Sequence, residues 1–306
     1  MKRKWEQFKK SYLIYSFKRD PVAILSFCVL VLLLLIGFAA PLISPTNPYD
    51  ADSIDIMNSE IPPVWSEEGV EGFILGTDVQ GRDLLSTMIY GLRLSIVIGL
   101  GAVMLQALIG ISFGLLAGYL GGKIDALLMR LADIQLSFPY LMVAIFISAI
   151  FQIVFGIGRY ADLAVPLLVV IIGLAEWPVY ARTVRAAVIG EKNKEYVEAA
   201  RVIGLSKRII MVRHVLPNTL TSVMVISTIQ VANAVMSEAA LSFLGLGMPV
   251  TRPSLGSLIR SGFEYIFSGS WWITIFPGIL LVIFVMVINL LGDWLRDVLN
   301  PKLYKG

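Results

Sequence analysis

Five long stretches of this chain carry no Asp, Glu, Lys or Arg: residues 21–49, 94–122, 134–158, 214–237 and 265–292. The shortest spans 24 residues and the longest 29, and only one histidine falls inside any of them. A helix needs about 20 predominantly apolar residues to cross the hydrocarbon core of a bilayer. All five stretches exceed that length. A sixth, residues 163–187, is weaker because Glu176, Arg182 and Arg185 lie toward one end. The apolar runs are continuous rather than alternating, which selects helices over a membrane barrel. The expected spans are 22–44, 94–119, 135–157, 163–185, 219–241 and 272–294, in an all-α polytopic membrane protein. Charged residues are 15% of the chain, against about 25% in ordinary soluble domains. Six buried helices of a soluble protein would lack the polar sequence to cover them. The first run is too long for a secretion signal and closes on Ala39-Ala40-Pro41, a poor cleavage site, so it reads as a retained anchor. Cys28, the single cysteine, reads as a small hydrophobe within that run.

The remaining charges orient the spans. Residues 1–20 hold seven bases, whereas the segment from Asp50 to Asp83 holds nine acids and one base, Arg82. Eight bases lie between Arg182 and Arg213; the segments after the third and fifth spans hold few, Arg159 and then Arg252 with Arg260. Basic segments stay on the cytoplasmic side, so both termini are expected inside. The bases sit beside spans instead of forming one stripe, which argues against nucleic-acid binding.

Within residues 1–20, Trp5, Phe8, Tyr12, Leu13 and Phe17 recur at helical spacing with lysines between them. This pattern predicts an amphipathic helix along the inner interface, with a plain basic tail as the alternative. Asp20-Pro21 marks the break before the first span. The external loop, 45–93, is rich in proline and acids and reads as loop rather than packed domain. Its turn Gly76-Thr77-Asp78-Val79-Gln80-Gly81 reads as structural, with Thr77 or Asp78 as a helix cap. A five-helix core, 94–294, and a cytoplasmic tail, 295–306, complete the organisation.

The most informative segment is cytoplasmic, residues 190–218. Asn193 is placed to cap a helix starting at Lys194, with Glu195 in its first turn. Gly204 suits the position beyond a helix end. Ser206 is placed to cap a second helix that Pro217 ends as the next span begins. Ala199 and Ala200 keep one face low, so another protein can approach closely. Physical reasoning leaves two readings open: a rigid peg that transmits a push, or an ordinary basic loop.

The segment resembles the EAA loop of integral membrane subunits of bacterial ABC importers. Glu198-Ala199-Ala200, Gly204 and Leu216-Pro217 stand at that pattern's spacing, while His214 occupies its isoleucine position, a departure. Three further stretches are similar to the dipeptide and oligopeptide (DppC/OppC-like) branch. They are Leu75-Gly76-Thr77-Asp78 with Gly81-Arg82-Asp83, Ala181-Arg182 with Arg185, and Glu238-Ala239-Ala240-Leu241-Ser242-Phe243-Leu244-Gly245-Leu246-Gly247.

The resemblance implies a type I importer permease fold in the bacterial cytoplasmic (inner) membrane and a half-channel paired with a second homologous permease subunit. It implies two cytoplasmic ATPase subunits, which hold ATP and Mg, and an extracytoplasmic substrate-binding protein. Glu198, Ala199, Ala200, Gly204, Leu216 and Pro217 would then form the ATPase-coupling surface, with Arg201, Lys207, Arg208, Arg213 and His214 in support. Dipeptides or oligopeptides are the expected substrates; nickel, glutathione or another small solute is the alternative within the same machinery.

No catalysis is expected in the chain itself. It has no Gly-x-x-x-x-Gly-Lys-Ser/Thr stretch for nucleotide, and one histidine with one cysteine is a poor ligand set for zinc. No cofactor or metal is expected. His214 is read as positioning the second coupling helix or capping its last carbonyls. Glu176 stands apart, because a carboxylate within a span is costly and is by default a functional candidate. Its open roles are lining the pathway or binding a partner helix, or else pairing with Arg182 or Arg185 within the chain. Two other classes remain. An ion-coupled secondary transporter would show internal repeats and midplane polar sites, and a membrane scaffold would carry no flux.

Overall fold

A computed structural model describes residues 12–50 and 54–299. Among these residues the chain is helical, with a single isolated antiparallel bridge between Thr77 and Asp83. The end that the charge distribution puts outside is termed outer, and the opposite end inner. Trp5, Phe8, Lys302 and Lys305 lie outside the described residues.

Helix α1 (Tyr12–Arg19) ends in Lys18 and Arg19, a favourable charge at a helix C-terminus. Its Phe17 ring packs edge-on against Phe27 and Trp294, so this part of the expected amphipathic helix docks on two spans. Asp20 caps α2 (Pro21–Phe38), accepting from the Val22 and Ala23 amides at 3.0 Å each. Pro21 occupies the first helical position, where its missing N–H is harmless. Only Ala23, Ser26, Leu33 and Gly37 of α2 are buried. Leu25, Phe27, Leu32, Leu35 and Phe38 stay exposed, as a peripheral helix in lipid requires.

Helix α3 (Leu84–Leu120) begins ten residues before the expected span at 94. Arg93 interrupted the apolar run in the sequence but not the helix, and Asp83 caps the start by accepting from the Ser86 amide at 2.8 Å. The external loop therefore ends at Asp83. The 37 residues of α3 extend about 55 Å at 1.5 Å per residue, longer than a bilayer core.

The third and fourth spans differ from expectation. Helix α4 (Gly122–Leu136) meets α5 (Tyr140–Glu191) at an 82° bend rather than a loop. Pro139 stands in extended backbone at that corner, φ −56° and ψ 124°, and the residue before a proline resists the helical region. Expected span 135–157 thus starts on the corner itself. Within α5 the loop expected after 157 is replaced by a backbone break at Gly156, φ 75° and ψ 159°, a conformation open to glycine. The described residues hold five helices long and apolar enough to cross a membrane, or six if the bent pair is one span.

Helix α6 (Glu195–Val202) is the short inner helix. Beyond it, Lys207–Phe243 is one helical run, whose regular part is α7 (Leu216–Phe243). Pro217 was expected to end a helix; it does not. Residues Ile210–Val215 form a wide turn in which the Leu216 amide donates to the Met211 carbonyl, five residues back. The wider turn sits where the Pro217 ring would otherwise crowd the Arg213 carbonyl. Helix α8 (Leu255–Phe263) lies at the outer end, and α9 (Trp272–Leu299) closes the bundle.

The main core joins α3, α5 and α7 around Ile98, Leu168, Ile171, Tyr180, Val184 and Leu241. Helices α3 and α5 approach closely because Gly110, Gly114 and Gly118 repeat every fourth residue on α3. A methyl group at Gly110 would strike Tyr180, one at Gly114 the Ala181 carbonyl, and one at Gly118 the Val188 side chain. Small residues at this spacing let helix backbones pack in a membrane.

Candidate functional site

At the inner end, helix α6 projects between α5 and α7. Its C-terminus is a Schellman motif. The Leu205 amide donates to the Ala200 carbonyl at 3.1 Å, and the Gly204 amide to the Arg201 carbonyl at 3.0 Å. Gly204 takes φ 82°, which accounts for glycine there. Asn193 does not cap α6. The cap position belongs to Lys194, with no side-chain bond, because α5 runs on to Glu191 and Asn193 falls in the intervening turn. Ser206 does cap the following turn, accepting from the Ile209 amide at 3.5 Å.

Three contacts tie the peg to the bundle. The Lys192 ammonium donates to the Gly118 carbonyl in the last turn of α3 at 2.7 Å. The Tyr196 hydroxyl donates to Glu191 at 2.7 Å and accepts from the Asn218 amide at 3.1 Å. Burial and the Glu191 carboxylate hold the Tyr196 phenol above its usual range. Asn218 also donates to the His214 carbonyl at 2.7 Å. His214 therefore caps no helix end, since the helix continues through it.

The two alanines part company. Ala200 is buried with Val197 and Ile210 against the bundle, whereas Ala199 is exposed. Adjacent residues on a helix point about 100° apart, so one low face cannot include both. The outward surface consists of Glu195, Glu198, Ala199, Val202 and Ile203. Val202 is 87% exposed and Ile203 73%, two large apolar side chains that attention to the Glu-Ala-Ala pattern missed. Their signal was an apolar pair inside a charged segment. Arg201 turns back, with its guanidinium 3.3 Å from the Lys192 carbonyl and 6.0 Å from the Tyr119 ring centre. Lys207, Arg208, Arg213 and Pro217 are exposed, and Leu216 is half-buried.

Glu176 lies mid-bundle and pairs with neither arginine. Arg182 binds Asp133 at 2.5 Å and Arg185 binds Asp125 at 2.5 Å, joining α5 to α4 instead. A helix places residues six or nine positions away from Glu176 poorly for contact with it. Its carboxylate accepts from Gln230 at 3.1 Å, Gln106 at 3.4 Å and Ser237 at 3.2 Å. Gln230 also donates to Gln106 at 3.2 Å and accepts from Asn233 at 2.9 Å. Helices α3, α5 and α7 thus share one buried polar knot. Gln106 and Gln230 were detectable as amides within apolar helices, but nothing in the sequence joins them to Glu176.

A second carboxylate, Glu238, is fully buried near the outer end. It accepts from Ser95 at 2.8 Å and Ser242 at 2.7 Å. Ser254 donates on to Ser242 at 3.2 Å and heads α8 through a reciprocal cap with Ser257. The Glu238–Gly247 stretch therefore fixes α8 against α7, and a methyl group at Gly256 would strike Ala239.

The outer turn is structural. Asp78 and Arg82 form a buried ion pair at 2.6 Å, and Arg82 reaches the Val250 carbonyl at 3.1 Å. Thr77 bonds the Asn58 carbonyl at 2.6 Å, and Trp272 donates to the Thr77 carbonyl at 3.1 Å. The helix cap expected from Thr77 or Asp78 comes from Asp83.

Residues 110–305 match the family described as binding-protein-dependent transport system inner membrane component. Residues 2–63 match the N-terminal TM domain of oligopeptide transport permease C. The chain is 38% identical over 288 residues to the di/tripeptide transport system permease protein DppC of Pseudomonas aeruginosa, covering 94% of this chain and 90% of that one. Identity to the dipeptide transport system permease protein DppC is 35% in Haemophilus influenzae, over 94% of this chain and 93% of the relative. For the Escherichia coli protein of that name it is 37%, over 94% and 92%. A solved structure of the MetNI methionine ABC transporter, inward facing, shares the fold with a TM-score of 0.56. It is 21% identical and covers 70% of this chain and 97% of that one. With its long apolar helices, this chain is a multi-pass inner-membrane protein and belongs to the inner-membrane permease components of binding-protein-dependent ABC transport systems.

Proposed function

We propose that the chain forms one half of the translocation path of an ATP-driven importer of dipeptides or oligopeptides. A second homologous permease subunit supplies the other half. Two cytoplasmic ATPase subunits bind ATP and Mg beneath the pair, and an extracytoplasmic binding protein delivers substrate. The likeness to three dipeptide or di/tripeptide permeases along most of their length supports the substrate class.

One observation carries the coupling role. Helix α6 presents Glu195, Glu198, Ala199, Val202 and Ile203 outward while Val197 and Ala200 lock it to the bundle. An exposed apolar pair rimmed by acids is a surface awaiting a protein. Glu198 and Ala199 contact the ATPase groove; Ala200, Gly204, Leu216 and Pro217 set the shape of the peg. Lys207, Arg208 and Arg213 flank it electrostatically, and Arg201 and His214 brace it from the bundle side.

The complete complex in liposomes tests this reading, with ATPase rate and uptake followed for dialanine, a tripeptide, nickel and glutathione, each with the binding protein. Peptides are expected to stimulate hydrolysis and to enter. Stimulation by nickel or glutathione alone would replace the substrate class. Ala199→Trp is expected to abolish substrate-stimulated hydrolysis at unchanged membrane abundance, and unchanged stimulation would remove α6 from the coupling surface.

A further inference from the structure

A cavity of about 600 Å³ opens at the outer end, lined by Tyr49, Arg93, Leu94, Val97, Asp162, Val165, Thr251 and Arg252. Its walls come from the loop after α2, the outer part of α3, α5 just beyond the Gly156 break, and the loop before α8. That volume falls within the range of about 300–1,000 Å³ typical of small-ligand pockets. Its chemistry is mixed. Two guanidinium groups and one carboxylate face a wall of Leu94, Val97 and Val165. Among the described residues, Arg93, Asp162 and Arg252 enter no ion pair with one another or with any other residue.

The site is built rather than incidental. Buried Arg82 holds the Val250 carbonyl and so anchors the loop carrying Thr251 and Arg252. The Tyr49 ring packs edge-on against Tyr90 at 4.9 Å. The Tyr49 hydroxyl is itself buried and has no hydrogen-bond partner. Burial raises its pKa against the opposing pull of Arg93, Arg252 and Arg82, so the phenol keeps its proton and offers a donor. The buried hydroxyl without a partner is costly, and the half-buried Arg93 and exposed Arg252 beside it enter no ion pair among the described residues, so an anionic ligand group would satisfy the hydroxyl and meet both cations.

Resting on the peptide-import reading above, we propose that this cavity is a receiving site for a free zwitterionic peptide at the outer mouth of the path. Arg93 and Arg252, with the Tyr49 hydroxyl, take the terminal carboxylate. Asp162 takes the terminal ammonium, and Leu94, Val97 and Val165 accept small apolar side chains. Guanidinium groups suit a planar carboxylate because their donors match it in pairs. A metal ion is a poor occupant: among the described residues no group of three or more His, Cys, Asp or Glu could hold one.

The test uses the assembled complex carrying Val97→Cys with Cys28→Ser, labelled by a membrane-impermeant thiol reagent. Dialanine is expected to slow labelling by about tenfold, as expected for charge-assisted bonds to a ligand. N-acetyl-dialanine amide, which lacks both charges, is expected to leave labelling unchanged. Adding Arg93→Gln with Arg252→Gln is expected to remove the protection. Tyr49→Phe, which deletes one oxygen, is expected to weaken it by a few fold and serves where the double variant fails to assemble. Protection by neither compound, or by both equally, overturns the proposal, as does full protection in the Tyr49→Phe variant. Absence of peptide uptake by the unaltered complex would overturn the import reading alone, since protection is read without transport.

Discussion

The outer and inner ends of this bundle are held by opposite strategies. Outside, polar groups are buried and multiply bonded: Asp78 with Arg82, Arg82 with Val250, Thr77 with Asn58 and Trp272, Glu238 with Ser95 and Ser242. Inside, α6 is seated through apolar Val197 and Ala200, and its polar ties through Lys192, Tyr196 and Asn218 are exposed or only part-buried. Buried networks resist displacement because breaking one bond leaves a desolvated group behind. Surface contacts exchange with water at little cost. Under the proposed coupling role, the difference suits an outer frame that stays fixed while the inner end is pushed. The glycine-packed contact of α3 with α5 and the Glu176 knot lie between and connect the two.

Breaking the outer frame should have the largest effect. Arg82→Ala strands Asp78, which is fully buried, and loss of one partner of a buried pair costs about 3–5 kcal/mol. The expected outcome is a sharp fall in the melting temperature and membrane abundance of the complex. Wild-type abundance and melting would show the outer end to be no better fixed than the inner one.

Gly114→Val tests the link between the ends. Its side chain would strike the Ala181 carbonyl and Val184, and overpacking costs about 1–3 kcal/mol. Melting should drop, with α3 and α5 forced apart; the same change at Gly278, where nothing lies within 4 Å of an added Cβ, should be far milder. Equal effects at the two sites would break the claim of close helix contact.

Glu176→Gln probes the knot itself. The carboxylate accepts from three side chains, and an amide turns one accepting atom into a donor facing other donors. Leaving one such group unsatisfied costs about 1–3 kcal/mol. Uptake per assembled complex is expected to fall more than membrane abundance does. Normal uptake at normal abundance would reduce the knot to packing.

How much of this was legible in the sequence follows from the range of the interactions. Charge-free runs revealed the spans because desolvating a charge is costly wherever it sits in the chain. Gly204 revealed the end of α6 because positive φ is a local demand. The early start of α3 was hidden by Arg93, a single charge that a capped helix tolerates at the outer end. The 82° corner had only Phe138-Pro139 as a signal, and Gly156 resembled any other glycine in an apolar run. Ala199 and Ala200 read alike until the bundle defined an inside. The partners of Glu176 come from two other helices, α3 and α7, 54 to 70 residues away, so only tertiary structure brings them together. For the same reason the outer cavity, assembled from four separate segments, left no pattern in the sequence.

The smallest expected effect isolates the inner end. Gly204 takes φ 82° with nothing within 4 Å of an added Cβ, so Gly204→Ala introduces backbone strain without a clash. That strain is about 1–2 kcal/mol, enough to fray the last turn of α6 and tilt Val202 and Ile203 but too little to unfold a bundle whose core lies elsewhere. Melting should barely move, while substrate-stimulated ATP hydrolysis by the full complex should fall several fold. Gly204→Asn should restore most of the loss, because asparagine tolerates the left-handed region that alanine resists. An alanine variant with lower melting and intact stimulation would invert the comparison, making the peg a structural brace and the outer frame the moving part.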